Sequence, residues 1–132
     1  MNRALDRTLK QLDLKDRNGR MIVGRLMDEL ILREVITPLL EEKPEFKKLR
    51  TWAHDARDEG GAPFYSTSVD DALDIVELML SKQKLAVAFY QNVRKLLDAS
   101  KEDCALVKLF THDRPAEAIC VSALLAIKGI SA

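Results

Sequence analysis

Apolar residues recur at three- and four-residue spacings along the first half of this chain, a period that predicts helices. Between Met21 and Leu40 they form a stripe broad enough to need cover on more than one side. Either the rest of the chain or a second copy of it could supply that cover. We expect a homo-oligomer, in which a second copy covers the stripe. Pro38 is expected to kink or end the helix, because proline lacks a backbone N–H and crowds the preceding turn.

The second half opens with a capped helix. Thr67 or Ser68 is placed to cap it, and Asp70 and Asp71 fall in its first turn, where negative charge favours the positive end of the helix dipole. The residues predicted to form its buried face are Val69, Leu73, Val76 and Leu80.

Two short apolar runs follow, at residues 85–90 and 104–110. Leu85, Val87 and Phe89 alternate with smaller or more polar neighbours, as in a strand. The spacing of Leu85, Phe89 and Val93 also fits a helix, but strand is preferred because the second run resembles a strand and needs a partner. The sequence therefore predicts an α+β fold, in which a helical half packs on an α-β-β-α unit; an all-α helical bundle is the alternative.

Gly60 and Gly61 mark the boundary between a helical half, residues 1–60, and the α-β-β-α half, residues 61–132. We interpret them as a hinge within one domain, because each half is too small for a core of its own. Trp52, Phe64 and Tyr65 surround this hinge. They are candidate anchors for a protein partner, although packing of one half on the other is the favoured interpretation.

Composition indicates a globular chain, with 47% apolar and 32% charged residues among 132. No apolar run approaches the roughly 20 residues that span a bilayer, and no signal-peptide core follows Met1, so we expect a cytoplasmic protein without membrane contact. Cys104 and Cys120 are isolated and lack metal-ligand spacing. Neither a metal nor another cofactor is predicted.

The charge balance argues against a general nucleic-acid binder, because 21 basic residues offset 21 acidic ones. The first 25 residues nevertheless carry seven Lys or Arg against three Asp. Arg3, Arg7 and Lys10 are therefore candidate contacts for phosphate or for an acidic protein surface, and weak nucleic-acid contact is one hypothesis. A solvated helix with mixed charge pairs is the favoured interpretation.

Catalytic patterns are sparse. His54 and Asp58 lie four residues apart on a predicted helix, and His112 precedes Asp113, but neither pair has a nucleophile in a recognisable context. Cys120 falls on an apolar helix face, as expected of a buried residue rather than of an activated thiol. The sequence predicts that the protein is not an enzyme.

Two segments resemble the phage ABA sandwich domain, a family of bacteriophage and prophage proteins. The opening segment is Tyr65-Ser66-Thr67-Ser68-Val69-Asp70-Asp71-Ala72-Leu73, and the closing segment runs from Arg114 to Leu124. The resemblance covers residues 63–128 and implies two strands between two helices, together with a phage or prophage origin. It implies no activity.

The expected function is therefore that of a small phage- or prophage-encoded accessory protein that acts by protein–protein interaction, with itself or with a host or phage protein. An inhibitor of a bacterial host defence system, similar to an anti-CRISPR protein, is one alternative. Nucleic-acid binding through the basic first segment is the other.

Overall fold

A computed structural model describes residues 24–42, 64–97 and 104–129, and within these ranges the chain forms five helices and no strand. Helix α1 consists of an α-helical segment, Arg25–Ile31, a π-helical segment, Leu32–Ile36, and a second α-helical segment, Thr37–Glu42. The other helices are α2 (Val69–Leu80), α3 (Gln83–Leu96), α4 (Ala105–Thr111) and α5 (Pro115–Lys128).

Helix α5 is the centre of the fold, since each of the other four helices contacts it. Its residues from Ala118 to Ala126 are all buried, as expected of a helix that is apolar on every side. Pro115 starts the helix at a position where a missing N–H costs nothing. Gly129 ends it with a left-handed φ of 70°, which glycine adopts without steric strain.

Pro38 lies inside α1 and does not end it. In a regular α-helix its ring would collide with the carbonyl group of Glu34. The chain widens into a π-helix immediately before the proline, and the N–H of Thr37 bonds to the carbonyl oxygen of Leu32, five residues back. This local widening accommodates Pro38, so the helix continues to Glu42.

The apolar stripe of α1 is covered within the chain itself. Its π-helical segment contacts α2 and α5, and Leu26 is its one exposed large apolar side chain among the described residues. The buried members of the stripe are Met27, Leu30, Ile31, Leu32, Val35, Ile36, Leu39 and Leu40. Their burial therefore no longer argues for a second copy. An ion pair between Lys82 and Glu42 also joins the end of α1 to the turn between α2 and α3.

The prediction of an α+β fold is wrong for the described residues, which follow the all-helical alternative. Residues 85–90, predicted as a strand, lie in α3. In a strand, Val87 and Phe89 would share one face. Instead, Val87 is 52% exposed and Phe89 is fully buried. Phe89, Val93 and Leu96 together line the buried side of a helix.

The second predicted strand, residues 104–110, is mostly the short helix α4. Ala105 and Leu109, four residues apart, are buried, and Val107 between them is 60% exposed. Strand alternation would have placed all three on the same face. The apolar residues at the intervening positions misled the prediction, because they are exposed members of a helix rather than core members of a sheet.

Helix α2 is capped as predicted, since the Ser68 hydroxyl oxygen accepts a hydrogen bond of 3.3 Å from the N–H of Asp71. The predicted buried face is wrong at Leu73 and Leu80, whereas Val69 and Val76 are partly buried. Leu73 and Leu80 are 41% and 46% exposed, respectively. The residues that α2 buries are Ala72, Ile75, Leu78 and Met79.

Candidate functional site

The segment just before α2 is held against the core by hydrogen bonds with residues of α1 and α5 and with Gly24, which precedes α1. The N–H of Ser66 donates to the buried carboxylate of Asp28 at 2.7 Å, and the Ser66 hydroxyl donates to the carbonyl oxygen of Gly24 at 3.0 Å. From α5, the thiol of Cys120 donates to the carbonyl oxygen of Tyr65 at 3.3 Å. These bonds fix the start of α2 against both α1 and α5.

Two ionisable groups in this junction are held neutral. Burial raises the pKa of the Cys120 thiol far above its usual value, and the charges of Asp28 and Glu117 add to this effect. Burial also raises the pKa of the Tyr65 hydroxyl, with a further contribution from Asp74. A thiol held neutral and hydrogen-bonded to a carbonyl group is a poor nucleophile, so Cys120 is a packing residue.

The two candidate aromatic contacts in the described residues differ in exposure. Tyr65 is buried, in the position of a staple between helices. Phe64 is 55% exposed, and its N–H donates to the carboxylate of Asp71 at 2.8 Å. The other predicted contacts, Arg3, Arg7, Lys10 and Trp52, lie outside the described residues, as do His54, Asp58 and the Gly60-Gly61 hinge.

A shallow groove of about 370 Å³ lies where α4 meets the turn into α5. Its lining residues are Leu97, Lys108, Thr111, His112 and Asp113. The Thr111 hydroxyl donates at 2.7 Å to the carbonyl oxygen of Val107, one turn back on its own helix. The groove therefore offers no activated hydroxyl group.

The predicted His112–Asp113 pair does not have the geometry of an acid–base dyad. His112 Nδ1 accepts a hydrogen bond of 3.0 Å from the backbone N–H of Arg114. Because Nδ1 uses its lone pair to accept this hydrogen bond, it carries no hydrogen to donate to the Asp113 carboxylate, although Asp113 Oδ1 lies 3.4 Å from it. His112 instead closes the turn before α5, where Arg114 occupies the N-cap position.

Helix α4 presents an apolar surface, which we define as Leu106, Val107 and Phe110. Val107 and Phe110 are 60% and 45% exposed, respectively, and Leu106 is only slightly less so. Sequence reasoning missed this surface because it assigned residues 104–110 to a strand. Once the run is treated as a helix, the spacing of these residues places them together on the face opposite Ala105 and Leu109.

Helices α2 and α3 carry opposite charges. Every ionisable side chain of α2 is acidic, and those of α3 are basic apart from Tyr90. The acidic residues are Asp70, Asp71, Asp74 and Glu77, and the basic residues are Lys84, Arg94 and Lys95. This segregation was not anticipated from the overall balance of 21 against 21 charges.

In the described part of the chain, no three His, Cys, Asp or Glu side chains are grouped closely enough to hold a metal ion. Among the same residues, no helix has both the length and the hydropathy needed to cross a membrane.

Comparison with known proteins found no matching family model, no matching curated protein and no matching solved structure. The resemblance to the phage ABA sandwich domain therefore stays a prediction. The two strands that it implies fall on residues that form α3 and α4.

Proposed function

We propose that this protein is a non-enzymatic cytoplasmic accessory protein that acts by binding another protein through the apolar surface of α4. The observation that supports it is the exposure of Leu106, Val107 and Phe110 on one short helix. A cluster of apolar side chains in contact with water is unfavourable, and docking on a partner removes that contact.

The surroundings of α4 suit a protein partner. The groove beside it supplies polar groups from Lys108, His112 and Asp113. Protein interfaces commonly combine an apolar centre, often with an aromatic residue such as Phe110, and a polar rim. Full burial of an exposed valine, leucine or phenylalanine side chain contributes about 1.5–3 kcal/mol, and each of these three residues, which are about half exposed, can contribute roughly half of that when a partner covers it.

The chemistry of the described residues supports binding rather than catalysis. The Thr111 hydroxyl donates to its own helix, His112 Nδ1 accepts a backbone N–H, and the Cys120 thiol is buried and neutral. Nucleophilic catalysis requires a hydrogen bond between the nucleophile and its base, and no two of these three groups are hydrogen-bonded to each other.

Phage or prophage origin forms part of the proposal and rests only on the two segments that resemble the ABA sandwich family. Within that origin, an inhibitor of a host defence complex is one specific form of the same protein-binding function. The genes that neighbour this one would distinguish the forms, since anti-defence, lysogeny and tail-assembly neighbours predict different partners.

Site-specific photocrosslinking tests the α4 surface directly. A photoreactive residue at Val107 in the full chain, expressed in a bacterial host, is expected to yield an adduct of discrete mass with another protein. The matched control places the same residue at Lys128, which is exposed at the end of α5. An adduct at Val107 that disappears with Phe110→Asp supports the proposal.

Two results would contradict it. Equal adducts from positions 107 and 128 would indicate non-specific contact, and no adduct from position 107 would leave the α4 surface without a partner. Circular dichroism of Phe110→Asp serves as the folding control, because this exposed substitution should retain the helical content of the parent chain.

A further inference from the structure

The charge segregation between α2 and α3 extends to the residues that face solvent. The exposed positions of α2 form one line, which we call the acidic face: Asp70, Leu73, Glu77 and Leu80. Those of α3, after its first residue, form a second line, which we call the basic face: Lys84, Val87, Gln91 and Lys95. The acidic face thus combines two carboxylates with two leucines, and the basic face combines two ammonium groups with one valine and one glutamine.

The spacing of both faces suits packing against another helix. Successive members are three or four residues apart, so each line follows one side of its helix. Side chains with this spacing can pack between those of a partner helix. The helices also match in length, at about 18 Å for α2 and about 21 Å for α3.

The charges on these faces are not neutralised within the described part of the chain. None of Asp70, Glu77, Lys84 and Lys95 forms an ion pair with another described residue. The exposed apolar members are likewise uncovered, with Val87 more than half exposed. The two helices contact each other, so a surface that complements both faces must carry a basic line and an acidic line.

We infer that the occupant of these faces is a second copy of this chain. A second copy presents the required pair of lines, because the acidic face fits the basic face of its partner and the same contact recurs in the opposite sense. Pairing of like faces would bring carboxylates together on one side and ammonium groups together on the other, which is repulsive. The charges therefore select an isologous dimer with α2 of each copy against α3 of the other.

This inference rests on the proposed function as a protein-binding protein, but it names a different surface and a different partner from α4. Exposed ion pairs are individually weak and are screened by salt. We expect the purified chain to dimerise at micromolar concentration. Because salt screens these ion pairs, the association constant of the dimer should fall at least about tenfold when NaCl rises from about 0.05 M to about 0.5 M.

Charge reversal on each face gives the decisive experiment. The acidic-face variant carries Asp70→Lys and Glu77→Lys, and the basic-face variant carries Lys84→Glu and Lys95→Glu. Each variant alone has two faces of the same sign, so each is expected to sediment as a monomer. The two variants mixed in equal amounts are complementary on both faces and are expected to form a heterodimer.

Matched controls separate this contact from a general charge effect. Glu41→Lys on α1 and Lys128→Glu on α5 reverse exposed charges outside both faces, and dimerisation should persist in each. Circular dichroism verifies folding of every variant. If a double variant fails to fold, the single substitutions Glu77→Lys and Lys84→Glu replace it, with the mixture again expected to restore association.

Several outcomes would overturn the inference: a monomeric wild-type chain at low salt, a dimer that survives both charge reversals, or a mixture that stays monomeric although both variants fold. Loss of nucleic-acid retention by the basic-face variant, without any change in mass, would assign α3 to nucleic acid instead. A crosslinked adduct at Val107 that persists in these variants would show that the proposed function survives failure of the dimer.

Discussion

Four polar side chains lie in the core, at Asp28, Ser66, Asn92 and Ser122. Asp28 and Ser66 hydrogen-bond across the junction of α1 and α2, and the Asn92 amide donates to the backbone carbonyl oxygen of Ser122 at 3.4 Å. The hydroxyl group of Ser122 has no hydrogen-bond partner within the described residues. Both serines are buried, but among the described residues the Ser66 hydroxyl is hydrogen-bonded and the Ser122 hydroxyl is not.

This difference predicts opposite effects for the same substitution. Ser66→Ala removes the bond to the Gly24 carbonyl oxygen and should lower the free energy of unfolding by about 1 kcal/mol. Ser122→Ala removes an unpartnered hydroxyl from a helix interior and should leave that free energy unchanged or raise it by about 1 kcal/mol. Urea denaturation measures both, and a loss above about 1 kcal/mol in Ser122→Ala would show that its hydroxyl is bonded.

Asp74 predicts how stability changes with pH. Burial, together with the charges of Glu77 and Asp71, raises the pKa of this carboxyl from 3.8 to about 6. The folded state therefore binds its proton more tightly than the unfolded state does. The free energy of unfolding should fall as pH rises from about 4 to about 6, and the loss should persist above that range.

Asp74→Asn should remove most of that loss, because asparagine is neutral at every pH in this range. The expected gain at neutral pH is about 1 kcal/mol, a figure reduced for the partial exposure of the carboxyl. Glu77→Gln removes the second-largest cause and should give a smaller gain. Urea midpoints measured between pH 4 and pH 7.5 provide the test, and parallel profiles for Asp74→Asn and the parent chain would contradict it.

At the scale of elements, α3 and α4 show the limit of short apolar patterns. In residues 85–90 and 104–110, apolar side chains occupy both the buried and the exposed positions, so strand and helix fit equally well. Packing decides between them, because α3 and α4 each press one helical side against α5. The run in α4 was predicted as a strand although its buried pair, Ala105 and Leu109, has helical spacing.

Helix α4 provides a direct test of this assignment. Val107→Lys should change the free energy of unfolding by no more than about 0.5 kcal/mol, because the side chain is exposed. Leu109→Ala should lower it by about 2–4 kcal/mol, because the side chain is fully buried and its removal leaves a cavity. In a strand, both residues would face the core. A large decrease in the free energy of unfolding for Val107→Lys would therefore contradict the helix and support the strand.

At the scale of the whole molecule, the fold is organised around α5. Small residues along it, among them Ala118, Ala123 and Ala126, allow α1 to α4 to approach closely. The surfaces left over are of two kinds: the apolar surface of α4, and the charged faces of α2 and α3. The first is the basis of the proposed function, and the second is the basis of the inferred dimer.

The sequence by itself determined two local features: a hydroxyl cap at Thr67 or Ser68 before α2, and the burial of Cys120. These depend on chemistry between near neighbours in the chain, or on a helix apolar on all sides. Only the tertiary structure decided which side of α2 faces inward, how α1 passes Pro38, and that residues 104–110 include a helix. The first and the last depend on contacts between distant segments, above all with α5, whereas Pro38 is accommodated by the π-helical segment just before it.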